Sequence, residues 1–123
     1  MSLAACIIVG GKQVIVAGAL FTLSWTHSVE KTEWREVWKM EGSQLLLIEA
    51  RVRGSGAGMD PGEGARLEDG WWVWKPQNPP VEALNLAASG ATISGWQLCS
   101  GGQCMELGIE ADNNIRIEPC RKQ

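Results

Sequence analysis

The sequence predicts an all-β domain: a single antiparallel β-sandwich or flattened barrel of eight or nine short strands. Three observations carry that prediction. Apolar and polar residues alternate with period two through residues 20–28 and 32–41, the repeat of a strand with one face buried. Turn residues punctuate the chain at short intervals, at Gly10-Gly11, Gly42 and Gly101-Gly102. The stretch around Cys99 and Cys104 closes as a hairpin in a register that gathers its apolar residues on one face.

Residues 5–9 and 13–17 are short β-branched runs that read as a hairpin across Gly10-Gly11. In residues 20–28, Phe21, Leu23, Trp25 and His27 share one face and Thr22, Ser24, Thr26 and Ser28 the other. In residues 32–41, Trp34, Glu36, Trp38 and Met40 share a face opposite mostly charged residues. Residues 44–53 form a third, strongly apolar strand after the turn at Gly42. Residues 54–70 hold six glycines and read as loop. Trp71-Trp72-Val73-Trp74 is a short strand, followed by an irregular, proline-rich connection over 75–80. Residues 82–88 fit either a strand or one helical turn. The hairpin over 92–109 and a tail strand near 114–118 complete the set.

The length of 123 residues fits one domain, 1–123, and buries roughly two-thirds of the unfolded surface. Hydrophobic residues make up 45% and charged residues 20%, a globular balance rather than a disordered one. The net charge is −3 and no basic cluster exceeds Arg121-Lys122, which argues against nucleic-acid binding. No apolar run reaches the ~18 residues of a membrane span. Seven tryptophans against one phenylalanine and no tyrosine is the compositional oddity.

The cysteines number four. With Cys99 facing Cys104, Leu98 faces Met105 and Trp96 faces Leu107, and the two sulfurs meet on the opposite face. Cys6 and Cys120 remain, one near each end, and a bond between them closes nearly the whole chain. Zinc is the competing reading. The C-x4-C spacing is not the usual knuckle and the chain has a single histidine, so disulfides are preferred, with no metal and no cofactor. Disulfides place the domain in an oxidising compartment, periplasmic or extracellular. The expectation is then that a signal or anchor segment preceded Met1. Leu3-Ala4-Ala5-Cys6 also resembles a bacterial lipoprotein cleavage box, in which Cys6 would carry lipid. The strand-like Ile7-Ile8-Val9 that follows favours a disulfide over lipid.

Residues 25–34 form the most unusual stretch. A four-residue loop over 29–32 would place His27 opposite Trp34 and Trp25 opposite Glu36. Glu36 is then a carboxylate on a tryptophan-rich face near His27, with its pKa raised by burial unless imidazole or indole N–H groups satisfy it. One reading is a general acid/base pair at the mouth of a cleft. The other is a polar pair that holds a hairpin in register. His27 and Ser28 are adjacent on a strand and point to opposite faces, so they make no nucleophilic pair. The glycine stretch with Gly54, Gly56 and Gly58 lacks the Lys-Ser/Thr of a phosphate loop. Its glycines permit close backbone approach, either to a neighbouring strand or to a ligand. Arg51 and Arg53 before it read as a solvated face. Alternation sends Trp72 and Trp74 one way and Trp71 the other, so at least one of the three lies near the surface. Exposed tryptophans are platforms for sugar rings or protein partners, and the alternative is a core that uses Trp in place of Phe.

Several stretches together resemble the bacterial proteins grouped as domain of unknown function eighteen-fifty. They are residues 21–36 with Trp-Thr-His-Ser-Val-Glu-Lys, Glu49-Ala50-Arg51 leading into Gly54-Ser55-Gly56-Ala57-Gly58-Met59, and Asp69-Gly70-Trp71. The Trp96-Gln97-Leu98-Cys99 to Cys104-Met105-Glu106-Leu107 hairpin also fits. The resemblance runs from about Cys6 to Leu107, with Cys120 outside it. It implies an extracytoplasmic protein, often encoded beside the fused permeases of tripartite ATP-independent periplasmic (TRAP) transporters. It carries over no activity and no catalytic residue. The expected function is a non-enzymatic accessory or binding component of solute uptake, partnered by the permease or its solute-binding protein. The second expectation is a carbohydrate or small-ligand module using tryptophan faces, and the third a hydrolase using His27 and Glu36. The expected contact surface combines the Gly54, Gly56 and Gly58 backbone with at least one of Trp71, Trp72 and Trp74.

Overall fold

The computed structural model describes residues 4–9, 11–27, 32–53, 64–87, 92–107 and 114–120. Among them lie eleven strands and no helix. The strands are β1 (Ala4–Val9), β2 (Lys12–Ala17), β3 (Leu20–His27), β4 (Glu33–Glu41), β5 (Gln44–Arg53), β6 (Arg66–Glu68), β7 (Trp71–Trp74), β8 (Leu84–Ala87), β9 (Thr92–Ser100), β10 (Gln103–Leu107) and β11 (Asn114–Pro119). They form a four-stranded sheet ordered β2-β1-β11-β8 and a seven-stranded sheet ordered β10-β9-β3-β4-β5-β7-β6. Every described pairing is antiparallel. The two sheets make a sandwich rather than a closed barrel.

The strand count exceeds eight or nine because two segments pair after all. Arg66–Glu68, inside the stretch read as loop, forms β6 against β7. The ambiguous 82–88 segment becomes β8, since β11 offers it an edge: Leu84 sits opposite Ile117 and Leu86 opposite Ile115. Once that edge exists, period-two burial of the two leucines outweighs one isolated helical turn.

The core lies between the sheets. Ala5, Ile7, Ile115 and Ile117 of the small sheet meet Phe21, Leu23, Trp38, Met40, Leu45, Leu47 and Leu98 of the large one. β5 keeps buried residues of both its halves on the inner face of the sheet only because of a bulge. Val37 pairs with Glu49 but Trp38 pairs with Leu47, so Ile48 is the extra residue. The bulge shifts the alternation by one. Leu45 and Leu47 point inward before it, and Ala50 and Val52 point inward after it.

The chain crosses between sheets from β2 to β3 through Gly18. Its φ is +131°, and a Cβ there would stand 2.6 Å from the Ser100 hydroxyl oxygen. That hydroxyl donates toward the Leu20 carbonyl at 2.8 Å and the Ala17 carbonyl at 3.1 Å, fastening the corner to β9. Glycine fits because the backbone is left-handed and the space is already occupied.

All four cysteines are bonded. Cys99 and Cys104 face each other across the β9–β10 hairpin, in register with Leu98 opposite Met105 and Trp96 opposite Leu107. Cys6 joins Cys120, 114 positions away, beside the β1–β11 ladder, where the Cys120 N–H also donates to the Ala4 carbonyl at 3.0 Å. The bonded sulfurs leave no thiolates for zinc and no free Cys6 for lipid. Two disulfides are compatible with an oxidising, exported environment. Among the described residues no helix is long and apolar enough to cross a membrane.

Candidate functional site

The inner face of the large sheet carries six of the seven tryptophans. Register builds the arrangement strand by strand. Leu107, Trp96, Trp25, Trp34, Val52, Trp72 and Leu67 follow one another across all seven strands, each opposite the next. One step along the strands, Leu98, Leu23, Glu36, Ala50 and Trp74 form a second line. A further step reaches Phe21 and Trp38, which lie in the core. Trp96 packs against that core, whereas Trp25, Trp34, Trp72 and Trp74 stand outside it and are partly buried. The Trp25 and Trp34 rings stack nearly parallel, 6.2 Å between centroids and 9° between planes. Trp74 meets Trp34 edge-on at 6.3 Å and 85°. The Trp72 indole N–H is buried and finds no hydrogen-bond partner among the described residues.

Glu36 sits in the middle of this surface. Its Oε1 accepts a hydrogen bond from Trp38 Nε1 at 3.1 Å. Burial raises its pKa above the usual 4.5, and the Trp38 bond pulls it part of the way back. Other carboxylates behave differently. Glu33, Glu41, Glu49, Glu68 and Glu118 each pair with the Arg or Lys two positions away on the same strand. Two positions from Glu36 lie Trp34 and Trp38, so its own face of β4 offers no cation, Arg35 and Lys39 lying on the other face.

The raised pKa has a sign that stability measurements can read. A carboxyl that holds its proton more tightly when folded contributes stability below its unfolded pKa, and that stability is lost as pH rises through the folded value. At neutral pH the ionised Glu36 is therefore a cost. Glu36→Gln, which keeps an acceptor for Trp38, is expected to raise the melting temperature by about 2–4 °C at pH 7. The gain should vanish below about pH 4, where glutamate is neutral as well. Thermal denaturation of both proteins at the two pH values checks this.

The β3–β4 register differs from the one the sequence suggested. Trp25 lies opposite Trp34 and Leu23 opposite Glu36, not His27 opposite Trp34 and Trp25 opposite Glu36. This register stacks indole on indole and pairs Phe21 with Trp38, and it leaves a longer connection. The faces survive, because the slip is a whole pair. His27 ends β3 four residues beyond Leu23, about 13 Å along the strand, with the Trp25–Trp34 pair between it and Glu36. The His27 side chain lies outside the described residues, as do Gly54, Gly56 and Gly58.

Trp71 points to the reverse face. It is only 9% exposed, because the guanidinium groups of Arg35 and Arg53 lie over its ring at 4.8 and 5.5 Å. Arg51 shares that face and pairs with Glu49 at 2.8 Å. The reverse face is thus charged, as Arg51 and Arg53 suggested, and its one indole is capped. It also holds a groove of about 240 Å³ lined by Ser24, Thr26, Glu33, Gln97 and Glu106, beside the seam where Trp25 and Trp96 pair. Trp72, Trp74 and Glu36 are candidates that the sequence offers by itself, whereas the placement of Trp25 and Trp34 on the same face beside them depends on register. The signal was the parity of β5. Leu45 and Leu47 face inward on odd positions, and Arg51 and Arg53, also odd, must face outward, so a bulge is required between them.

No curated protein and no solved structure gave a significant match to the chain. A family model matches over residues 21–107, which span β3 through β10, including the whole tryptophan surface and Glu36. The chain belongs to the family described as Domain of unknown function (DUF1850).

Proposed function

We propose that this is a non-enzymatic, exported binding domain, an accessory component of a TRAP-type solute transporter, and that its contact surface is the inner-face tryptophan row. The observation that carries the reading is the placement of Trp25, Trp34, Trp72 and Trp74 outside the sandwich core, on one face of the large sheet and only partly buried. Indoles in that state offer large, rigid contact area at small entropic cost. The two disulfides support export. The resemblance of the sequence to proteins encoded beside TRAP permeases supports the choice of transporter.

The test is co-purification of the tagged domain with the permease or its solute-binding protein from the native membrane and periplasm. Retention of either partner by the parent protein, and its loss on Trp34→Ala, is the expected result. No enrichment of either, in a protein whose fold is intact, overturns the transporter reading. A second reading, a carbohydrate module, is favoured by the polar groove near Ser24 and Gln97, whose hydroxyl, amide and carboxylate groups suit a polyol. Tryptophan fluorescence across a glycan panel separates the two. A hydrolase built on His27 and Glu36 is disfavoured by the intervening Trp25–Trp34 pair.

A further inference from the structure

The ladder beside β5 is interrupted. β7 ends at Trp74, opposite Ala50, and pairing resumes only at Val81, opposite Leu45. Six residues, 75–80, therefore stand across from four, 46–49. The arching segment contains Pro76, Pro79 and Pro80, which have no N–H to give to a ladder. Between the two segments lies a cavity of about 590 Å³, a size that suits a small organic ligand.

Its apolar wall is Val37, Leu46 and the bulge residue Ile48. Leu47 lines it too, yet the Leu47 side chain belongs to the core on the other face of the sheet, so the backbone does the lining. Leu45 exchanges both its backbone bonds with Val81, at 2.6 and 2.8 Å. Two residues on, and still before the bulge, the N–H and C=O of Leu47 turn to the same side. Among the described residues no backbone bond reaches them from 75–80. A donor and acceptor in a residue only 7% exposed call for a partner.

Charge narrows the choice. Glu49, on the cavity wall, is already held by Arg51 Nε and Nη2 at 3.2 and 2.8 Å. Lys75, on the opposite wall, has no ion-pair partner among the described residues. The uncompensated charge is thus a cation. The interruption spans five steps of β5, about 17 Å, and is closed at both ends by pairing. A strand running alongside β5 has no way through, whereas the end of a chain fits.

We propose that this cavity binds the C-terminal residue of a short peptide with an aliphatic side chain. Its N–H donates to the Leu47 carbonyl, one carboxylate oxygen accepts from the Leu47 N–H, and Lys75 pairs with the other. The side chain lies on Val37, Leu46 and Ile48. The site is on the reverse face from the tryptophan row and stands independently of it.

N-acetyl-alanyl-leucine is the probe. Its C-terminal amide removes the charge, and its N-methyl-leucine analogue removes the donor. Nitrogen-15 NMR of the whole chain follows the Leu47 amide, with the tryptophan indole signals as an internal comparison. The expected result is a saturable shift at Leu47 with the probe. Either analogue, or Lys75→Gln with the parent probe, should bind about fivefold more weakly. Lys75 is exposed, so the variant's remaining spectrum and melting temperature should match the parent's. No saturable shift at Leu47, equal binding of the amide or the N-methyl analogue, or unchanged affinity in Lys75→Gln overturns the proposal. Shifts confined to the indoles also overturn it. None of these outcomes bears on retention of a transporter partner by the tryptophan row.

Discussion

Replacing Cys6 and Cys120 with serine is expected to cost about 4–5 kcal/mol, a large share of the total for a domain of this size. The bond closes a loop spanning 114 positions. In the chain-entropy account the stabilisation grows with the logarithm of loop length, so this crosslink lies near the top of the scale. The Cys99–Cys104 bond closes a loop of only five positions. Its removal is expected to cost about 2 kcal/mol, and the hairpin register, set by Trp96, Leu98, Met105 and Leu107, should survive. Chemical denaturation of the parent and the two double-serine variants checks the ranking. Equal losses would show that loop entropy does not govern the difference.

The second large effect is expected at Trp38. Its ring is 8% exposed and belongs to the core cluster, while its N–H serves Glu36. Trp38→Ala removes the ring and opens a cavity, a loss of about 3–5 kcal/mol. Trp38→Phe keeps most of the apolar volume and deletes only the donor, a loss of about 1–2 kcal/mol. The two variants should agree on one further point. Without the indole N–H nothing opposes burial, and the pKa of Glu36 should rise further. Carboxyl titration followed by nuclear magnetic resonance measures it. A Glu36 that titrates unchanged in Trp38→Phe would show that the hydrogen bond contributes little to its ionisation.

Much of this fold was readable because its strands bury one face. The alternation in residues 20–28 and 32–41 gave β3 and β4 their faces, and the hairpin arithmetic around Cys99 and Cys104 gave a register the structure reproduces. Register between β3 and β4 was harder. Sliding that pair by two residues preserves every inward position, so periodicity cannot choose, and the choice falls to which rings meet. β6 was hidden for another reason. Arg66, Leu67 and Glu68 are all exposed, and no apolar pattern marks a strand that is held by its backbone to β7. In the candidate site, spacing separated Trp72 and Trp74 from Trp71 but did not say which face was the inner one. The contact of Trp74 with Trp34 depended on the Ile48 bulge, a one-residue event that a window of alternation averages away.

The bond between the first and last described strands has a mechanical meaning as well. Cys6 and Cys120 lie near opposite ends of the described chain, Cys6 in β1 and Cys120 directly after β11. A tensile load applied at both ends runs through β1, across the sulfur bridge and out through Cys120. Everything between, the tryptophan row and Glu36 included, lies off the load path. Under tension the oxidised domain is a short, nearly inextensible link, whatever is bound to its face. Reduction of that one bond turns the same polypeptide into a spring that must unfold to yield.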